Sequence, residues 1–307
     1  MSFTLPPSLQ KGDAIRLIAT ARWLEETLVL ETESLLALKG FKTSRGTHLM
    51  ARHGQFAGTD NERAADLQAA LDDASISAIF IMRGGYGTHK IMDGISIDGF
   101  KKSPKWIVGF SDVTVLHGFL QNAGIASLHA AMPSTYSGAT QEAMDSLFNT
   151  LEGKLPSWSI TTDSRSIQGQ AEGRLVGGNL SVLSSILGTD CFPVQEGDIL
   201  VLEDIDEMIY HMDRLLLQLT RTGVLKKLTG IILGGFTDLR DNTKAFGFSS
   251  DNPYGMTAEE IILSYAKPLG IPVMVGAPVG HIADNRAMIL GAQVKMKVGE
   301  RISELLY

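Results

Sequence analysis

The 307 residues are 44% hydrophobic and 20% charged, with 32 glycines and a formal net charge of −7. This is the makeup of an ordinary globular protein of one or two domains. The acidic balance and the lack of any basic cluster exclude nucleic acid or an anionic membrane surface as the main partner, which leaves small molecules or peptides.

The opening Met1-Ser2-Phe3-Thr4-Leu5-Pro6-Pro7 lacks the basic start, apolar core and small-residue cleavage site of a signal peptide. No apolar run approaches the roughly 20 residues that cross a bilayer. Cys191 is the single cysteine, in an apolar neighbourhood, so a buried inert thiol and a cytoplasmic location are expected.

From residue 14 to about 131, short apolar runs alternate with helical stretches. The pattern predicts a strand at 15–19, helices over 23–39 and 64–72, a strand at 78–82, a helix from Lys90 onward, and a strand at 106–110 running into a helix over 112–121. Such alternation predicts an α/β layer on a parallel sheet. Thr59-Asp60-Asn61-Glu62 forms a capping box, in which hydroxyl and carboxylate satisfy each other's end amides.

Between 135 and 174 the chain becomes richer in Ser, Thr, Gly and Gln, as a connection between domains does. The expected division is an N-terminal α/β domain over 1–150, a linker over 151–170 and a C-terminal domain over 171–307. In the second half, Gly173-Arg174-Leu175-Val176-Gly177-Gly178-Asn179-Leu180 leads into a helix through 187. A strand at 198–202, a helix over 209–219 and strands at 230–234 and 272–275 follow. No period of 20 to 50 residues repeats, which argues against a solenoid or propeller.

Met82-Arg83-Gly84-Gly85-Tyr86-Gly87-Thr88 follows a strand. Its glycines let backbone amides converge on a phosphate, a substrate carboxylate or an oxyanion, although a tight turn needing positive φ uses glycine in the same way. The spacing is not G-x-G-x-x-G and no acid stands convincingly in the ribose position, so a dinucleotide site is not indicated. Lys105-Trp106-Ile107-Val108-Gly109-Phe110-Ser111-Asp112-Val113 reads as a buried strand entering a helix, the context of a nucleophilic serine elbow. A lone serine there is more often just a helix N-cap.

Ser111 needs a base to attack a carbonyl. His117 lies on the same helix and cannot easily fold back, His129 ends an apolar run, and His48, His53, His89 and His211 sit in no pattern. His281 differs, because it ends the run Val273-Met274-Val275-Gly276-Ala277-Pro278-Val279-Gly280 in a loop of the kind that displays catalytic groups. A carboxylate should orient it. Glu203 is the first charge after the strand at 198–202, with Asp204, Asp206 and Glu207 behind it, though such acids also make a solvated helix start. With no regularly spaced His or Cys there, no metal site is expected.

Lys11-Gly12-Asp13, the segment 60–67 with Arg63 and Asp66, Arg83-Gly84-Gly85-Tyr86-Gly87, Gly109-Phe110-Ser111-Asp112, Gly177-Gly178-Asn179-Leu180, Leu202-Glu203-Asp204 and Gly280-His281 stand in a telling order and spacing. Together they resemble the LD-carboxypeptidase family, serine peptidase family S66, nearly end to end. The resemblance implies a flavodoxin- or Rossmann-like parallel-sheet N-terminal domain and a second, swivelling, mixed-sheet α/β domain. It implies Ser111 as nucleophile, His281 as general base and Glu203 as the acid that orients it. The oxyanion would meet the amide of Asp112 and one from the turn around Gly85 and Tyr86. The implied reaction releases D-alanine from a murein tetrapeptide, in a cleft between domains, with no metal or organic cofactor, in a cytoplasmic homodimer.

Two other readings compete. Relatives conferring self-immunity to peptidyl-nucleotide antibiotics use the same machinery on a different amide, and Trp23 or Trp158 could stack on a nucleobase. A non-catalytic muropeptide-binding protein is the other, although it would not need Ser111, Glu203 and His281 together. The loop Ala19-Thr20-Ala21-Arg22-Trp23 lacks the Ser-Pro type of turn common in the family, and Arg286 follows His281 where less charged residues are usual. Both departures bear on substrate choice.

Overall fold

A computed structural model describes residues 3–242, 244 and 252–307. Met1 and Ser2, the start of the stretch read above for a signal peptide, lie outside the described residues. Two compact units form, one of Met1–Pro156 with Ala283–Gly291, the other of Ser157–Ile282 with Ala292–Tyr307.

The elements begin with β1 (Ala14–Ile18), α1 (Glu26–Leu38), β2 (Lys42–Arg45), α2 (Asp60–Asp72), β3 (Ala78–Ile81), α3 (Asp98–Lys102), β4 (Trp106–Gly109), α4 (Thr114–Asn122), β5 (Ser127–His129) and α5 (Gln141–Leu151). There follow β6 (Trp158–Thr161), β7 (Gly169–Asn179), α6 (Leu180–Ser185), β8 (Asp198–Ile205), α7 (Ile209–Arg221), β9 (Leu228–Thr237), α8 (Ala258–Ala266) and β10 (Val273–Val275). The last three are β11 (Met288–Leu290), β12 (Gln293–Val298) and β13 (Ile302–Leu306).

In the first unit the sheet runs β11-β5-β4-β3-β1-β2. β2, β1, β3, β4 and β5 are parallel, and β11 adds antiparallel to β5. The order 2-1-3-4-5 is the flavodoxin-like doubly wound arrangement implied by the resemblance. In such sheets a ligand crevice opens at the carboxyl ends of the strands where the order reverses, here between β1 and β3. Every residue of β3 and β4 is buried, as parallel strands covered by helices on both faces require. The capping box forms as read: Glu62 N donates to Thr59 Oγ1 at 3.3 Å and Thr59 N to Glu62 Oε2 at 2.7 Å.

Three expectations change. The helix expected from Lys90 onward is a 3₁₀ helix over Thr88–Gly94 followed by the short α3. Gly94 and the β-branched Ile95 and Ile97 oppose a longer helix there. The stretch 151–170, read as a linker, contains β6, whose alternating exposure gives an edge strand the polar composition of a connection. Residues 283–291, assigned by sequence to the C-terminal domain, supply β11 to the first unit's sheet.

The second unit's sheet runs β10-β9-β8-β7-β12-β13-β6. Its β7 to β10 are parallel and β12, β13 and β6 antiparallel, so it is the mixed sheet that was expected. β8 extends to Ile205, and Glu203 and Asp204 are 0% and 2% exposed within it. Those two acids are therefore core residues of a strand, not part of a solvated helix start. Cys191 is buried, as its apolar neighbourhood led one to expect. No helix among the described residues is long and apolar enough to cross a membrane.

Candidate active site

In the first unit, β4 ends at Gly109, Phe110 is extended, and Ser111 takes φ 64° at the start of a 3₁₀ turn over Ser111–Val113. Phe110 holds the cap position and Ser111 lies inside the turn, so the N-cap reading of this serine fails. Among the described residues the other non-glycine positive φ angles belong to Asp206 and Asp238. Aspartate tolerates this region because its side chain bonds the local backbone; other L-residues lose roughly 1–2 kcal/mol there. Strain held at a strand end points to function.

His117 braces the elbow from α4. Its Nε2 lies 3.0 Å from the Gly109 carbonyl and its Nδ1 2.8 Å from Ser127 Oγ. A carbonyl only accepts, so Nε2 carries the proton and Nδ1 accepts from the hydroxyl. Burial lowers the His117 pKa to about 4, which keeps the ring neutral as a support.

The glycine turn after β3 lies against the serine. A Cβ on Gly84 would stand 3.3 Å from Ser111 Cβ and 3.4 Å from Ser111 Oγ. The amides of Gly85 and Tyr86 have no hydrogen-bond acceptor among the described residues, which suits donors for an oxyanion. Asp112 is buried, its carboxylate accepts the Thr88 amide at 2.9 Å, and burial raises its pKa. The elbow and the end of the glycine turn are thus tied together.

Arg63 has a part that its place in the motif at 60–67 signals but does not define. Buried, it donates from Nη1 to the carbonyls of Thr20 at 2.6 Å and Gly87 at 2.8 Å, and it pairs with Asp60. It clamps the loop after β1 to the loop after β3.

In the second unit, Glu203 Oε2 accepts the His281 backbone amide at 3.2 Å and lies 2.6 Å from His281 Nδ1. A carboxylate partner sets the proton on Nδ1 and the lone pair on Nε2, the tautomer a general base needs. Burial alone would lower the His281 pKa, but the hydrogen bond to Glu203 and the charges of Glu203 and Asp204 raise it above 6.5. Asp204 is itself pushed up to about 7, first by burial and then by Glu203. It accepts hydrogen bonds from Asn179 Nδ2 and from the Ser181 and Ile205 amides.

The structure places the candidate residues in two groupings. Ser111, Asp112, Gly84, Gly85 and Tyr86 come together in the first unit, and Glu203 and His281 in the second. Among the described residues no group of three or more His, Cys, Asp or Glu is placed to hold a metal ion.

The LD-carboxypeptidase N-terminal domain model matches residues 15–130, and the LD-carboxypeptidase C-terminal domain model matches 172–296. The chain belongs to the LD-carboxypeptidase family. It is 33% identical over 307 aligned residues to a probable murein peptide carboxypeptidase of Bacillus subtilis, covering 96% of this chain and 92% of that one. A muramoyltetrapeptide carboxypeptidase from Oxalobacter formigenes superposes with a TM-score of 0.83 at 26% identity, over 95% of this chain and 97% of that one. The microcin C7 self immunity protein MccF superposes with a TM-score of 0.85 over 99% of this chain and 98% of that one, but at 22% identity it shows a shared fold alone.

One of the two departures from the LD-carboxypeptidase pattern has a local partner. Arg286 is ion-paired with Asp284, Nη2 to Oδ2 at 2.8 Å. Of the candidate stacking residues, Trp158 is 8% exposed in β6, and Trp23 carries the Arg52 guanidinium 3.7 Å from its ring centroid.

The residue before the histidine is under tight constraint. Gly280 has φ 101°, and a Cβ there would fall 2.5 Å from Glu203 Cβ and 2.7 Å from Oε2. Gly280→Ala is expected to destabilise the chain by about 2 kcal/mol or more, from the disfavoured φ and the overlap together. Urea unfolding checks this; an unchanged midpoint would mean that the loop yields freely.

Proposed function

We propose that this LD-carboxypeptidase-family chain is a serine carboxypeptidase that hydrolyses the LD amide bond of a murein tetrapeptide and releases its terminal D-alanine, serving cell-wall peptide recycling. The observation carrying the proposal is the left-handed backbone of Ser111, held at the end of β4 beside the glycine turn. Family membership and the names of the relatives support it, as does the His281–Glu203 pair.

Ser111 Oγ attacks the scissile carbonyl carbon while His281 Nε2 takes its proton. Glu203 stabilises the imidazolium that results. The amides of Asp112 and of Gly85 or Tyr86 receive the oxyanion. Collapse of the tetrahedral intermediate breaks the C–N bond, and His281 returns the proton to the departing amine of D-alanine. Water, activated by the same histidine, then releases the tripeptide from the acyl-enzyme. Residence in the cytoplasm and a homodimeric state belong to the same proposal.

Mass spectrometry of products from tri-, tetra- and pentapeptides, with and without D-alanine ends, tests the reaction. Loss of one D-alanine from the tetrapeptide is expected. Faster cleavage of an aminoacyl-sulfamoyl adenylate would replace this reading with antibiotic detoxification, and binding without turnover would replace it with a muropeptide-binding protein.

The pH profile follows from the second unit. The base must be neutral, and its pKa is raised, so kcat/KM should climb with pH along a limb centred above 6.5. Asp204→Asn removes one of the charges that raise it, so the limb should move to lower pH. An unmoved limb would show that Asp204 does not act on His281. For stability the sign is the same: Asp204 keeps a proton when folded up to about 7, against 3.8 ordinarily. Its contribution is full below the ordinary value and is lost as pH rises through the folded one.

A further inference from the structure

We infer that Arg22 recognises the free terminal carboxylate of the substrate and so restricts cleavage to the last residue of a peptide; the inference rests on the function proposed above. Arg22 lies in the loop after β1, and the glycine turn lies in the loop after β3, the two connections that flank the point where the strand order reverses. The two loops touch. A Cβ on Gly85 would fall 2.7 Å from both Cδ and Nε of Arg22, so this side chain lies over the turn in the space a larger residue at 85 would fill.

Gly84, one residue earlier, is the position whose Cβ would stand 3.4 Å from Ser111 Oγ. With consecutive Cα atoms about 3.8 Å apart, these contacts keep the guanidinium within about 13 Å of the serine hydroxyl. That reach takes in one C-terminal amino acid plus a guanidinium–carboxylate contact.

The backbone under Arg22 is anchored. Arg22 bridges Phe56, Ala57 N donates to the Ala21 carbonyl at 2.9 Å, and Arg63 holds the Thr20 carbonyl. The side chain is exposed and has no acidic or carbonyl partner among the described residues. The neighbouring guanidinium groups are otherwise engaged: Arg63 is buried on two carbonyls, Arg83 donates to the Trp23 carbonyl at 2.8 Å, and Arg52 lies over the Trp23 ring. Arg22 therefore offers a planar fork of donors in the geometry that a carboxylate takes up bidentately.

The test compares kcat/KM for a tetrapeptide ending in D-alanine with that for the same peptide ending in D-alaninamide, in wild type, Arg22→Gln and Arg22→Lys. A charge-assisted pair should give wild type a preference for the acid of about 30-fold or more. Arg22→Gln should erase that preference by lowering the acid value and leaving the amide value unchanged, and Arg22→Lys should restore part of it. An equal fall on both peptides, or a preserved preference in Arg22→Gln, would overturn the inference while the carboxypeptidase reading stands. Release from neither peptide by wild type would overturn both.

Discussion

Ser111→Ala is expected to lower kcat for D-alanine release by at least about 10³-fold while tetrapeptide affinity stays close to that of wild type. On the proposed mechanism the substitution removes the atom that forms the acyl bond. It leaves the surfaces that would hold the peptide, the glycine turn and the amides of Asp112, Gly85 and Tyr86. Product analysis by mass spectrometry measures the first quantity and calorimetric titration of the peptide the second. The position also permits an internal control, because Ser111 has φ 64°. Ser111→Gly should be equally inactive yet more stable than Ser111→Ala by about 1 kcal/mol, since glycine enters the left-handed region without the side-chain penalty. Turnover of Ser111→Ala within tenfold of wild type would remove the serine from the mechanism. A glycine variant no more stable than the alanine one would remove the strain.

Loss of the proposed base should cost about as much. His281→Ala is expected to reduce kcat by about 10³-fold or more, and combining it with Ser111→Ala should add almost nothing, because residues that act as one unit are not additive. Glu203 gives the more discriminating variant. Its Oε2 accepts hydrogen bonds from the His281 backbone amide at 3.2 Å and from Nδ1 at 2.6 Å, inside a strand where the side chain is fully buried. Glu203→Gln keeps the shape and can still accept from Nδ1, but it cannot stabilise the imidazolium with charge. A fall in kcat of roughly 10²- to 10⁴-fold is expected, together with a shift of the ascending pH limb to lower pH. Wild-type kcat with an unmoved limb would show that Glu203 serves packing alone.

Much of the fold was legible because its signals are local. The capping box at 59–62, the buried runs of β3 and β4, and the glycines around 84–87 each depend on residues a few positions apart. β11 was not legible: three residues over Met288–Leu290 gain their identity as a strand only by pairing with β5. The end of β8 was misread for a related reason. Two adjacent carboxylates normally mean solvent, and their burial makes sense only once His281 and Asn179 are seen to donate to them. Arg63 and Arg22 also gave little away as single letters, since each acts across loops separated by a strand or helix.

By itself, the sequence determined the α/β class and the family, and it singled out Ser111, Glu203 and His281 as candidates, because residue type and short spacing carry those signals. Tertiary structure alone decided that Ser111 is strained instead of capping, that Glu203 is buried beneath His281, and that Arg22 lies on the glycine turn beside Ser111. Those outcomes depend on strand order and long-range packing, which bring distant residues together by burying apolar surface and leave no periodic trace along the chain.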